Sequence, residues 1–142
     1  MILIDSSLLI AAFRNRKDRW FERWIADVGD VITCDMVKTE VIVGALSVKD
    51  IAMRGRQLEW ADAIFADIES RGLDWPLCEK AAELAGQARR NGFNPDLDDA
   101  FVAAAALEAD ARVATLNVRH FKQLGVTAFN PLSEHLPGKA SA

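Results

Sequence analysis

Cysteine is scarce: the chain has only Cys34 and Cys78. They lie far apart in apolar surroundings with no CxxC spacing, which excludes a disulfide-stapled scaffold and a thiolate zinc site. Two reduced core thiols are expected instead. Long apolar runs are missing too. None approaches the roughly 20 residues that cross a bilayer, and no basic segment leads into an apolar stretch with a cleavage-like site. No membrane association and a cytoplasmic location are therefore expected. Nor is there a basic excess. The chain has 17 Lys and Arg against 21 Asp and Glu, a formal net charge of −4. That excludes a protein that coats nucleic acid through general positive charge. Internal repeats, low-complexity tracts and interdomain linkers are absent as well.

What is present suffices for one core. The 142 residues are 51% hydrophobic, which argues against disorder and for a single domain. That domain is expected over residues 1–132, with a loose tail over residues 133–142 that contains Pro, Gly and Ser.

The pattern alternates strands and helices. Strands are expected at 1–4, 31–34, 112–115 and 126–129, each short and apolar or β-branched. A weaker strand is expected at 73–77, where Pro76 points to a sheet edge. Helices are expected at 8–13, 19–27, 36–46, 58–70, 79–90, 100–109 and 118–124. Ser6 or Ser7, Asp35 and Asp96 stand where caps belong, and Asn91-Gly92 reads as a C-terminal stop. Such alternation implies an α/β fold with a mainly parallel central sheet and helices on both faces. Ligands in such folds bind beyond the carboxyl ends of the strands. That rule gathers Asp5, Glu40, Asp99, Thr115 and Asn117.

Three of these five residues are acidic, and no fixed cation accompanies them in sequence. Like charges brought together repel unless a proton or a metal neutralises them. Hard oxygen ligands suit Mg²⁺ or Mn²⁺, the setting for metal-assisted phosphodiester hydrolysis.

Four blocks carry a resemblance. They are Ile2-Leu3-Ile4-Asp5-Ser6-Ser7-Leu8-Leu9-Ile10, Thr39-Glu40-Val41, Asp99-Ala100-Phe101-Val102-Ala103-Ala104-Ala105-Ala106-Leu107 and Val113-Ala114-Thr115-Leu116-Asn117-Val118-Arg119-His120-Phe121, followed by Phe129-Asn130-Pro131. In this order and spacing they resemble the PIN-domain nucleases, and within them the VapC toxins of bacterial toxin–antitoxin modules. The resemblance implies a three-layer PIN-like fold and a metal-dependent endoribonuclease that leaves a 5′-phosphate and a 3′-hydroxyl. It implies Asp5, Glu40, Asp99 and Asn117 as catalytic positions, with Asp5 and Asp99 as ligands of Mg²⁺ or Mn²⁺. It further implies an RNA substrate, a homodimer, and a cognate antitoxin that reaches the acidic site with a basic side chain. Many members carry aspartate where this chain has Asn117. An amide can bind a metal-bound water or a phosphate oxygen but adds no charge, so one well-held ion is expected, with a second only when substrate phosphate helps.

Secondary candidates are Ser7, as a hydrogen-bond partner of Asp5 or of a metal-bound water, Asp98 as an outer acid, and Thr115 as a strand-end hydroxyl facing the site. Arg14 and Arg16, within the patch Arg14, Arg16, Lys17 and Arg19, are candidates to guide RNA. Each residue also has a plain reading. Asp5 and Ser7 could simply cap a helix. Glu40 could be an exposed helix glutamate. Asp96, Asp98 and Asp99 could complement a helix macrodipole, with Asp96 and Asp99 as a capping box. The arginines could be a solvated loop. Trp20 and Trp24 read as core packing, with a partner groove as the other option. His120 and His135 read as surface residues. The rival functional reading is a non-catalytic PIN-like module that binds RNA or protein. A haloacid dehalogenase-type enzyme is disfavoured because Ser7 stands where its second aspartate belongs. A receiver domain is disfavoured because its strand-end Asp and late Lys have no clean counterpart.

Overall fold

The computed structural model describes residues 1–135, without the side chains of the last two. The expected loose tail lies outside the described residues from position 136 on, and so does the side chain of His135. Residues 131–135 form a short helix.

Five strands build one sheet: β1 (Ile2–Ile4), β2 (Val31–Cys34), β3 (Glu69–Arg71), β4 (Arg112–Ala114) and β5 (Ala128–Phe129). Their order is β3-β2-β1-β4-β5, and every neighbouring pair is parallel. Leu3 sits opposite Ile32 on one side and Val113 on the other. Parallel neighbours need crossovers, supplied by α1 (Ser6–Arg14), α2 (Trp20–Val28), α3 (Asp35–Leu46), α4 (Ile51–Phe65), α5 (Trp75–Arg90), α6 (Leu97–Glu108) and α7 (Val118–Gln123), with α8 (Pro131–His135) closing the described chain. The expected mainly parallel α/β sheet is thus the one observed.

The core runs through the central strands. Leu3, Ile4, Val113 and Ala114 are sealed from solvent, as are Leu8, Leu9, Val37 and Phe121 from the helices. Helix α6 is nearly all small on its buried side, with Ala100 and Ala103 to Ala106 inaccessible. Small side chains let it lie close against α5, which meets it through Ala81, Leu84, Ala85 and Ala88. An aromatic group of Phe13, Phe21, Trp24 and Trp60 fills the space by α1, α2 and α4. Trp24 is core and Trp20 half-buried beside Phe21, so the packing reading of both tryptophans stands. Cys34 is buried and Cys78 half-buried, both free. Burial pushes the Cys34 thiol up to about 11, which leaves it unreactive at neutral pH.

The sheet edge differs from the expectation. The strand expected at 73–77 does not form. β3 lies earlier, at Glu69–Arg71, inside the stretch read as the end of a helix, and α4 runs from Ile51 to Phe65. Trp75 and Pro76 open α5, because Asp74 caps it by accepting the Leu77 N–H at 3.0 Å. Proline suits a first helical turn, where its missing N–H has no role. β3 is held by side-chain ties, two of them to distant parts of the chain. Ser70 donates to Asp35 at 2.6 Å, and Arg71 pairs with Asp74 and Glu108. Asp35 is therefore the first residue of α3 rather than its cap, with Cys34 in the cap position. Asp96 occupies the cap position of α6 without a side-chain bond, so the alternative reading of Asp96 and Asp99 as a capping box does not hold; Asp98 Oδ1 instead accepts the Asp99 N–H at 3.1 Å.

Candidate active site

The topology turns in opposite directions from β1, toward β2 on one side and β4 on the other. A crevice opens at such a switch, beyond the strand ends. Asp5 follows β1 directly, and its N–H still bonds Ala114 O at 3.0 Å. Thr115 follows β4, with its N–H on Phe129 O at 3.0 Å. Both are almost wholly buried, Asp5 at 2% and Thr115 at 0% exposure. Because the sheet ladder fixes their backbones, their side chains are placed on the rigid part of the fold.

Neutral donors hold the Asp5 carboxylate. Ser7 Oγ and Thr115 Oγ1 each donate to Oδ2 at 2.8 Å. The two hydroxyls lie 3.1 Å apart. Backbone N–H groups complete the set: Leu116 donates to Ser7 Oγ at 3.1 Å and Asn117 to Thr115 Oγ1 at 2.9 Å. Asp5 takes the cap position of α1 without a side-chain cap bond. Ser6 and Ser7 are already helical, and the Ser7 hydroxyl serves Asp5 rather than the helix end.

Glu40 comes from the second turn of α3, and Asp98 and Asp99 from the first turn of α6. Glu40 Oε1 is buried without a hydrogen-bond partner. Burial first, then contact with Asp98 and the charges of Asp98, Asp5 and Asp99, raise the Glu40 carboxyl to about 8. Burial first, then the charges of Asp5, Asp98 and Asp96, raise Asp99 to about 7. The four carboxylates are thus in electrostatic reach of one another. Among the described residues no Lys or Arg lies within ion-pair distance of any of them. They form an open cluster: among the described residues no three His, Cys, Asp or Glu side chains stand in an arrangement that would hold a metal ion.

The other candidates fall as follows. Asn117 occupies the cap position of α7 and is exposed, with its side chain unbonded. Arg14 ends α1 and is exposed. Arg16 is tied back: its guanidinium lies 4.3 Å from the Phe13 ring centroid, and Nη1 donates to Phe13 O at 3.1 Å. His120, read from the sequence as a plain surface residue, is exposed but stands 3.9 Å from Asp99 through Nδ1.

The pattern of a parallel sheet with an acidic crevice at its switch point defines the class. The model of the PIN domain family matches residues 2–126, and the chain belongs to that family. No functionally curated protein matches it. Several solved structures share its fold. A chain of FitAcB from Neisseria gonorrhoeae has 24% identity and a TM-score of 0.78, covering 96% of this chain and 100% of its own. A chain of VapBC2 from Rickettsia felis, solved bound to a DNA fragment from the promoter, has 17% identity and a TM-score of 0.78, covering 92% and 98%. A chain of VapBC-5 from Mycobacterium tuberculosis, a member of the VapBC family of toxin–antitoxin systems, has 20% identity and a TM-score of 0.66, covering 90% and 96%.

Proposed function

We propose that the chain is a metal-dependent endoribonuclease, the toxin of a toxin–antitoxin pair, that hydrolyses RNA phosphodiester bonds. One observation carries the reading. Among the described residues, Asp5, Glu40, Asp98 and Asp99 pool their charge at the switch point with no Lys or Arg against them, and Glu40 Oε1 is left buried and unpartnered. The donors are all hard oxygens, which fits Mg²⁺ or Mn²⁺. Asp5 and Asp99 would hold the ion, with Glu40 and Asn117 completing the site. When bound, such an ion polarises a phosphoryl oxygen and acidifies water.

The protein groups have distinct tasks. Ser7 and Thr115 orient Asp5 without neutralising it. Glu40, raised by burial and by its acidic neighbours and with Oε1 unpartnered, would give up its proton to add a further carboxylate to the cation site. The exposed Asn117 amide can donate to a phosphate oxygen. Arg14 is the freer of the two candidate guides, since Arg16 is engaged with Phe13. Membership of the PIN family and the shared fold with chains of VapBC complexes support a cognate antitoxin as partner; a homodimer as the working form is part of the same proposal. An arginine of such an antitoxin would inhibit by pairing bidentately with the carboxylates the cation needs.

The test is cleavage of a mixed RNA pool by antitoxin-free protein with Mg²⁺, with Mn²⁺ and with EDTA, beside Asp5→Asn and Asp99→Asn. Metal-dependent cutting lost in both variants is the expected result. No cutting together with no Mn²⁺ binding would replace this reading with the non-catalytic binding module.

A further inference from the structure

One hollow in the molecule lies away from the carboxylates. It is a cleft of about 1030 Å³ between the C-terminal ends of α5 and α6 and the outer side of α7. Phe93, Leu107 and Val118 supply its apolar wall, Asn91 adds an amide, and Arg119 and Lys122 are its two cations. Among the described residues no carboxylate lines it, although the whole chain is acidic. The cleft is therefore a local positive, partly apolar site on a negative protein.

We propose that this cleft is a nucleobase subsite of the same RNA-cutting centre, in which Phe93 stacks an unpaired base while Arg119 and Lys122 take the flanking phosphates. The proposal rests on the nuclease reading and adds where the strand lies. Three observations carry it. First, Phe93 is presented rather than stored. Gly92, at φ +89°, ends α5, and the Phe93 N–H bonds Ala88 O at 3.0 Å. That closes the helix through backbone alone, yet the ring stays 40% exposed at the cleft. An aromatic face on a fixed backbone suits base stacking, which every base permits. Second, the charge complements a polyanion: two exposed cations and, among the described residues, no acid. Third, α7 borders both the cleft and the acidic site. Asn117 caps that helix, His120 on it approaches Asp99, and Val118, Arg119 and Lys122 line the cleft. Six residues of helix span about 9 Å, so a strand cut at the carboxylates reaches the cleft within a few nucleotides.

The test uses the full chain and short single-stranded RNA of mixed sequence. Binding is followed by anisotropy without metal, and cut positions in an RNA pool are mapped with Mn²⁺. Phe93→Leu keeps apolar area and removes the stacking face; we expect RNA affinity to fall about tenfold, within the range for one stacked base. The bases flanking the cut sites should lose their bias, and Phe93→Trp should restore both. The double replacement Arg119→Ala with Lys122→Ala should lower the salt slope of binding by about 1.4, the value for two single-strand phosphate contacts. All variants should keep wild-type melting and Mn²⁺ affinity. If the wild type cuts RNA while every variant keeps its affinity, salt slope and cut pattern, the subsite is overturned, the nuclease stands, and the cleft belongs to a protein partner. If the wild type neither binds nor cuts RNA, the nuclease reading falls and takes the subsite with it.

Discussion

Replacing Asp99 by Asn should make the metal-free protein more stable at pH 8, and the structure sets the size of the gain. Asp99 is only 16% exposed and shares its crevice with Asp5, Asp98 and Glu40. Its carboxyl is raised from 3.8 to about 7 by burial first, then by the charges of Asp5, Asp98 and Asp96. A folded-state pKa above the unfolded one means that the folded chain binds the extra proton. Its contribution is therefore fully present below about pH 4 and is lost as pH rises through about 7. The gap between 3.8 and about 7 corresponds to roughly 4 kcal/mol at most. Solvent screening and the sharing of protons among coupled carboxylates cut this to about 2 kcal/mol. For a chain of this size that is a melting shift of roughly 6 to 8 °C. Thermal melts in EDTA at pH 5 and pH 8 measure it. The Asn variant should gain several degrees at pH 8 and less at pH 5, where the unfolded carboxyl is already ionised while the native one still holds its proton. An equal melting temperature at pH 8, or the same gain at both pH values, would refute the claim that like-charge repulsion in this crevice is stored in the fold.

Other outcomes follow from the same geometry. Mn²⁺ affinity should rise about tenfold per pH unit between pH 6 and pH 8, because Glu40 and Asp99 must release protons to admit a cation. Calorimetry in buffers of different ionisation enthalpy would count those protons. Thr115→Val should cost about 1 to 2 kcal/mol of stability and lower cleavage 10- to 100-fold, since Asp5 and the Asn117 N–H both lose a partner; urea melts and single-turnover cleavage would report the two effects. Asp74→Ala should cost about 1 kcal/mol in denaturant melts by removing the cap of α5, with cleavage unchanged.

The parts of the site that were legible in the sequence are those fixed by strand ends. Asp5 and Thr115 each follow a short apolar run, and the parallel-sheet rule places such residues in one crevice. Ser7 was legible as a partner of Asp5 because it lies one residue beyond its neighbour on the same short helix. β3 was not. Glu69-Ser70-Arg71 has no β-branched or apolar residue to mark it, and it is a strand only because β2 offers an edge and Asp35, Asp74 and Glu108 take its side chains. Pro76 was read as an edge-strand marker where the Asp74 cap made it a helix opener. His120 gave no sign of its neighbour, because α6 and α7 meet only through tertiary packing.

The chemistry of the Asp5 surroundings explains how the crevice keeps its charge. A buried carboxylate needs partners, and an arginine or lysine would supply them at the cost of neutralising it. Here two hydroxyls do so instead, themselves fixed by the N–H groups of Leu116 and Asn117. Hydroxyls satisfy one oxygen and set its direction while leaving the negative charge available. Glu40 and Asp99 lack even that support, so protons occupy them near neutral pH. The crevice thus combines one oriented anion with two displaceable protons. Thr115→Lys would invert this logic by placing an ammonium beside Asp5. It should raise stability in EDTA at pH 8 relative to Thr115→Val and abolish Mn²⁺ binding. A lysine variant that still bound Mn²⁺ with wild-type affinity would show that Asp5 is not among the groups that receive the cation.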